Sequence, residues 1–306
     1  MMVCVMSATQ KRETGADPSP HSDVESHIRD LLQSFSGIAG VAATDVTTGE
    51  EIAVNADARF PTASTIKVAV MLEAWHQAAE RRLSLEDTIE LRDRDKVGGS
   101  GVLNALHDGL RLTVRDLIHL MIVLSDNTAT NLLVDRLGIV RIDRRLAGYG
   151  LHDTHLFRPT FRDGRADLHP ELEAEYGLGM TTPRDMARLM AAIARGTSVG
   201  DEASAAMLDT LRRQQDRAMI PRLLPQDAGV QVGNKTGTDA EKQGGPGGVR
   251  RHVRADVAIV TGPGLRYVIA IYARQVEDGR SGVENEALVA GARISRIVYD
   301  HFARRL

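Results

Sequence analysis

The chain has 306 residues, 42% of them hydrophobic and 26% charged, with a net charge of −3. That length allows one large domain or two ordinary ones, and the balance is that of a globular chain able to bury a core. Near-neutral charge and 4% aromatic residues argue against a nucleic-acid partner, and no run of 18 apolar residues suggests a membrane span. The single cysteine, Cys4, excludes an intrachain disulfide.

Residues 1–22 are polar after a short apolar start and contain Pro18 and Pro20, so a disordered leader is expected. The Met1–Met6 stretch has no preceding positive charge and no cleavage-site pattern, which favours the cytoplasm over export. Apolar residues at Val24, Ile28, Leu31, Leu32 and Phe35 predict a helix. Ile38 to Val46, a Thr47-Thr48-Gly49 turn and Glu51 to Asn55 predict a β-hairpin. The pattern then becomes helical: Ser64 to Gln77, Thr113 (as cap) to Leu124, Asn127 to Leu137, Val140 to Ala147, Pro183 to Arg195 with Thr182 as cap, and Ala203 to Arg213. Strands return at Gly229–Lys235, Val253–Thr261 and Arg266–Ala273, the last two joined by Gly262-Pro263-Gly264. A helix from Glu284 to Phe302 ends the chain.

The fold class read from this order is α/β in the α+β sense. Both termini build one antiparallel sheet flanked by helices, and an all-α domain is inserted between them. The expected division is 23–60 with 214–306 for the α/β domain and 61–213 for the all-α domain, with the active site between the two. The glycine-rich stretch 244–248 does not lead from a strand into a helix with phosphate-loop spacing, so it is read as a loop.

Three short motifs carry chemistry: Ser64-Thr65-Ile66-Lys67, Ser125-Asp126-Asn127 and Lys235-Thr236-Gly237. Ser64 and Lys67 lie one turn apart on one helix face. A serine hydroxyl needs a base, and a lysine becomes one when burial or a second cation lowers its pKa; Lys235 can be that cation. Pro61 helps place Ser64 near a helix N-terminus, which favours a developing oxyanion. Ser125 can relay a proton to a leaving nitrogen, and Asn127 offers an amide to an amide-bearing substrate. Asp126 is read as structural. Lys235 with the hydroxyls of Thr236 and Thr238 can hold a carboxylate, Gly237 allows close approach of a substrate backbone, and the Thr238 N–H can serve the oxyanion.

This set, S-x-x-K, S-D-N and K-T-G, is that of class A β-lactamases and penicillin-binding proteins. Over residues 24–306 the chain resembles class A β-lactamases and their serine-hydrolase relatives. The resemblance is carried by Phe60 to Lys67, Leu112 to Leu117, Ser125 to Leu133, Thr181-Thr182-Pro183 and Asn234 to Thr238. It implies Ser64 as nucleophile, Lys67 as base, Ser125 as relay, and Lys235, Thr236 and Thr238 as carboxylate site. Arg254 would replace the family's carboxylate-binding arginine, with Arg250 and Arg251 as competitors. The resemblance also implies a secreted or periplasmic location, so the compartment stays open.

The family's deacylating glutamate has no clear counterpart. Counting forward from Leu156 and Arg158 its place falls on Thr160; counting back from Thr181 it falls on His169. Glu171 and His169 are the candidate deacylation bases, with Glu173 and Glu175 nearby. Gly98-Gly99-Ser100-Gly101 stands where a bulkier residue usually walls the cleft, which suggests a wider site. His152 and His155 could pair with His169 around a metal, but no cysteine or carboxylate completes a zinc pattern, so no metal and no cofactor are expected. The expected activity is serine-dependent hydrolysis of β-lactams through an acyl-enzyme on Ser64. The alternatives are a penicillin-binding-type peptidase or esterase that deacylates slowly, and a non-catalytic β-lactam sensor. A monomer acting on a small β-lactam or peptide-like substrate is expected.

Overall fold

The computed structural model describes residues 20–241 and 243–304. Helix α1 (Pro20–Leu32) begins inside the stretch expected to be a leader; Cys4 and Pro18 lie outside the described residues. Strands β1 (Ile38–Asp45) and β2 (Glu51–Val54) form the hairpin, followed by the short β3 (Phe60–Pro61). A 3-10 turn, Ala63–Ile66, runs directly into α2 (Lys67–Ala79). Then come β4 (Thr88–Glu90), β5 (Arg111–Thr113), α3 (Val114–Val123), α4 (Asn127–Leu137) and α5 (Ile139–Gly148). The chain continues through β6 (His155–Leu156), α6 (Pro170–Tyr176), β7 (Gly179–Thr181), α7 (Pro183–Ala194) and α8 (Asp201–Arg212). It closes with β8 (Gln231–Ala240), β9 (His252–Gly262), β10 (Leu265–Val276) and α9 (Glu286–Ala303).

The main sheet has the order β2-β1-β10-β9-β8 and is antiparallel throughout, so strands from both ends of the chain interleave as the sequence predicts. Its two faces separate by the strand period of two. On β10, Tyr267, Ile269 and Ile271 face a core shared with Ile28 of α1 and with Ile294, Val298 and Phe302 of α9. Val268, Ala270 and Tyr272 face the opposite core, which holds Ile66, Met71, Met121, Leu133, Met186 and Leu211. That second core runs without a break from the sheet into the central helices.

The helix starts follow their capping residues. Thr113 accepts from the Asp116 N–H and Asp116 returns the bond, a capping box; Thr182 caps α7 with Pro183 in its first turn. The central segment expected to be all-helical also carries β4 to β7. These short strands make a two-stranded and a three-stranded sheet, β4-β5 and β3-β7-β6. The β3-β7-β6 sheet holds the approach to the nucleophile turn, because the Thr62 N–H donates to the Gly179 carbonyl at 2.9 Å.

Candidate active site

Ser64 sits in the 3-10 turn just ahead of α2, where leading N–H groups and the helix dipole favour an anion. The turn is braced from the sheet. The Thr65 hydroxyl donates to the Thr62 carbonyl at 2.7 Å and lies 2.7 Å from the Tyr272 hydroxyl of β10. Ala63 and Ser125 both adopt left-handed backbone conformations, with φ of 42° and 55°. Such angles are uncommon outside glycine and persist where the surroundings over-determine them. Around Ser125 those surroundings are Lys67 Nζ and Ser100 Oγ, each donating to its carbonyl at 2.7 Å.

The three motifs converge on the Ser125 hydroxyl. Lys67 Nζ donates to Ser125 Oγ at 3.1 Å and to Asn127 Oδ1 at 2.8 Å. Lys235 Nζ approaches the same Oγ, also at 3.1 Å, and donates to the Thr236 carbonyl at 2.8 Å. Both lysines are fully buried. Burial first, and the charge of Lys235 second, hold the Lys67 ammonium well below the usual lysine range, against an opposing pull from Asp126. Burial lowers Lys235 to about 8, with Asp256 and Asp216 opposing. Asp256, buried on β9 beside Thr236 of β8, is pushed up to about 7 by burial, although Asn234 Nδ2 at 3.0 Å and the Ile220 N–H at 3.0 Å both donate to it. The result is one lysine poised to lose its proton and one that remains cationic at neutral pH.

Ser64 lines a cavity of about 370 Å³ together with Gly99, Asn127, Arg158, Thr160, Phe161 and Thr238. It also opens on an adjoining recess of about 310 Å³ shared with Ser125, Thr236 and Thr238. The sequence-derived residues Ser64, Ser125, Asn127, Thr236 and Thr238 are therefore brought to one cleft, with the two lysines beneath it. The Asn127 amide is engaged within the protein, donating to the Gly98 carbonyl at 3.1 Å while accepting from Lys67. Gly237 also serves the packing of the turn. A Cβ there would meet the Thr62 carbonyl at 3.1 Å and Ala63 Cβ at 3.2 Å, so the glycine lets β8 press against the nucleophile turn. Asp126 is structural: its carboxylate takes the N–H groups of Ala129 (2.8 Å), Val102 (2.7 Å) and Leu103 (2.9 Å).

Other expected residues are not brought to the cleft. Arg254 is the register partner of Thr238, but its guanidinium donates to the carbonyls of Val253 (2.9 Å) and Arg280 (3.1 Å). Neither it nor Arg250 nor Arg251 lines the cavity. His169 and Glu171 lie at the start of α6 and do not line it either; the Glu171 side chain is 66% exposed. Glu173 is buried, accepting from Arg158 Nε at 2.6 Å and from the Gly164 N–H at 2.8 Å, and Glu175 lies 3.2 Å from Arg274. Thr160 is the residue that reaches the cleft at the forward-counted position. Asn131 holds it there, accepting from its N–H at 2.8 Å and its hydroxyl at 3.0 Å and donating to its carbonyl at 3.0 Å.

Two residues missed in the sequence complete this wall. Phe161, 59% exposed, stands against Gly99, where an added Cβ would meet its ring at 2.9 Å. The glycine segment thus admits an aromatic ring from the opposite side rather than simply widening the site. Arg158 is buried and bridges Glu173 and Asp163. Both acids follow Arg158 in the sequence, five and fifteen residues on, so no local pattern marked it.

A sequence model described as the Beta-lactamase enzyme family matches residues 23–302. The chain belongs to the beta-lactamase enzyme family. Beta-lactamase 1 of Streptomyces cacaoi is 28% identical, over 91% of this chain and 85% of its own length. The crystal structure of a beta-lactamase from Sphaerobacter thermophilus is 31% identical, covers 94% of this chain and 99% of its own, and superposes with a TM-score of 0.76. A second solved relative, PBP-A, is 26% identical, covers 92% and 97%, and gives a TM-score of 0.76. A variant of PBP-A was solved as an acyl-enzyme complex with penicillin G. Membership of the beta-lactamase family accounts for the shared fold.

Proposed function

We propose that this protein hydrolyses the amide bond of β-lactams through an acyl-enzyme on Ser64. The observation that carries the reading is the Ser125 hydroxyl held at 3.1 Å from each of two buried lysine amines, in the cleft that Ser64 lines. Neutral Lys67 takes the Ser64 proton as Oγ attacks the lactam carbonyl; burial and Lys235 supply the lowered basicity this needs. The oxyanion is met by N–H groups at the Ser64 turn and by the Thr238 N–H. The proton then passes through Ser125 Oγ to the leaving ring nitrogen, and the C–N bond breaks. Cationic Lys235, with Thr236 and Thr238, receives the substrate carboxylate. Water afterwards cleaves the Ser64 ester.

The names of the relatives favour hydrolysis over a slowly deacylating peptidase or a silent sensor. The experiment is to mix the protein with a chromogenic cephalosporin and record intact mass at seconds and at one hour. Colour over many turnovers without a lasting adduct is expected. A one-equivalent burst with a stable adduct would make it a slow deacylator. Loss of the transient adduct in Ser64→Ala is also required; labelling that persists sinks the assignment of the nucleophile.

A further inference from the structure

A cluster at the far end of the 157–169 segment holds chemistry that the cleft does not use. Asp143 projects from α5, His155 from β6, and His169 caps α6. One ligand atom of each lies within 4.8 Å of the other two. The chain brings them together by closing a loop: the N–H groups of Asp167 (2.8 Å) and Leu168 (3.3 Å) both donate to the Phe157 carbonyl. That closure sets the His169 ring 4.5 Å, between centroids, from His155. The carboxylate that seemed missing from the histidine pattern is Asp143, twelve residues before His155.

Hydrogen bonding fixes the state of His155. Its Nε2 lies 3.0 Å from the His152 carbonyl, which can only accept, so Nε2 carries a hydrogen. Its Nδ1 lies 2.6 Å from Asp143 Oδ1. Two lone pairs cannot face each other at that separation, so a proton sits between them in this geometry, at the place a cation would occupy once the contact opens. At His169, Nδ1 faces the Glu171 carboxylate at 3.5 Å. Ligating imidazoles are usually oriented in this way, with the second ring nitrogen turned to a carbonyl or carboxylate.

We propose that Asp143, His155 and His169 form a binding site for a zinc-class divalent cation. One carboxylate oxygen and two imidazole nitrogens, with water in the fourth position, suit such an ion. The metal takes the place of the proton on His155 Nδ1, which leaves to solvent. Ligand atoms around a tetrahedral ion at about 2.1 Å stand about 3.4 Å apart. The Asp143–His155 contact therefore opens by less than 1 Å and His169 closes inward. Bound metal ties the start of α6 to α5 and β6. It thereby fixes the base of the segment whose Arg158, Thr160 and Phe161 line the cleft.

The full chain, freed of metal with a chelator, is titrated with Zn2+ by calorimetry and, in parallel, with Co2+ by visible absorption. The variants are Asp143→Asn and His169→Asn; asparagine tolerates the left-handed backbone at His169, φ 49°, so the start of α6 is kept. Circular dichroism verifies that each variant is folded. One equivalent of metal, a Co2+ spectrum of four-coordinate intensity, and affinity at least about tenfold weaker in both variants are expected. No saturable binding overturns the proposal. So does binding of equal affinity in the wild type and both variants, which would place the ion elsewhere.

Discussion

The two walls of the cleft are built on different principles. The wall of Lys67, Ser125 and Lys235 rests on helix ends and a sheet strand, and its charged groups are buried and aimed at one oxygen. The facing wall, Arg158 to Asp163, is a loop held by an amide, an ion-pair bridge and an exposed ring. The first tunes proton affinity by desolvation, so its chemistry depends on rigidity. The second shapes the mouth of the site. If the two walls act independently, the buried one sets acylation and the loop one sets the lifetime of the adduct.

The largest expected effect comes from the buried wall. Lys67→Ala should slow acylation by about 10²- to 10⁴-fold, as loss of a general base does, in rapid-mixing kinetics. An unchanged rate would refute its role as base. Arg158→Ala tests the other wall: it leaves Glu173 buried without its guanidinium and should cost about 3–5 kcal/mol of stability in denaturant unfolding. If the walls are independent, acylation of the folded fraction stays near normal while the adduct's lifetime changes; a parallel loss of acylation would break the comparison. The smallest effect is in pH. Lys235 is cationic below about 8, so its attraction for a substrate carboxylate is present at neutral pH and lost as pH rises through 8. KM for an anionic β-lactam should then rise by up to about tenfold per pH unit, while an analogue with an esterified carboxylate shows a flat profile. Equal profiles for both would remove Lys235 from carboxylate binding.

The buried wall was legible in the sequence because its determinants are local. Thr113 and Thr182 announce helices, and the spacing of Ser64 and Lys67 fits one turn even though Ser64 lies in the 3-10 turn and Lys67 opens α2. The alternation on β10 sorts Tyr267 from Tyr272, and both ends of the chain read as strands of one sheet. The loop wall was not legible because its determinants are long-range. Counting along the chain gave both Thr160 and His169, and only the Asn131 bonds, made from a different helix, bring Thr160 to the cleft. Arg254 could be assigned to the strand beside Thr238, but not the direction of its guanidinium, which backbone carbonyls decide. The two- and three-residue strands β6 and β7 are too short to show a period. Asp143 was overlooked because its meeting with His155 depends on how α5 lies against β6.

The loop from Phe157 to Leu168 is pinched shut where two consecutive N–H groups reach the same carbonyl. Whatever lies between 158 and 166 enters and leaves through one point of the fold. The span between is tied back to two helices, Thr160 to Asn131 of α4 and Arg158 to Glu173 of α6, so the neck of the loop and its middle are held by different partners.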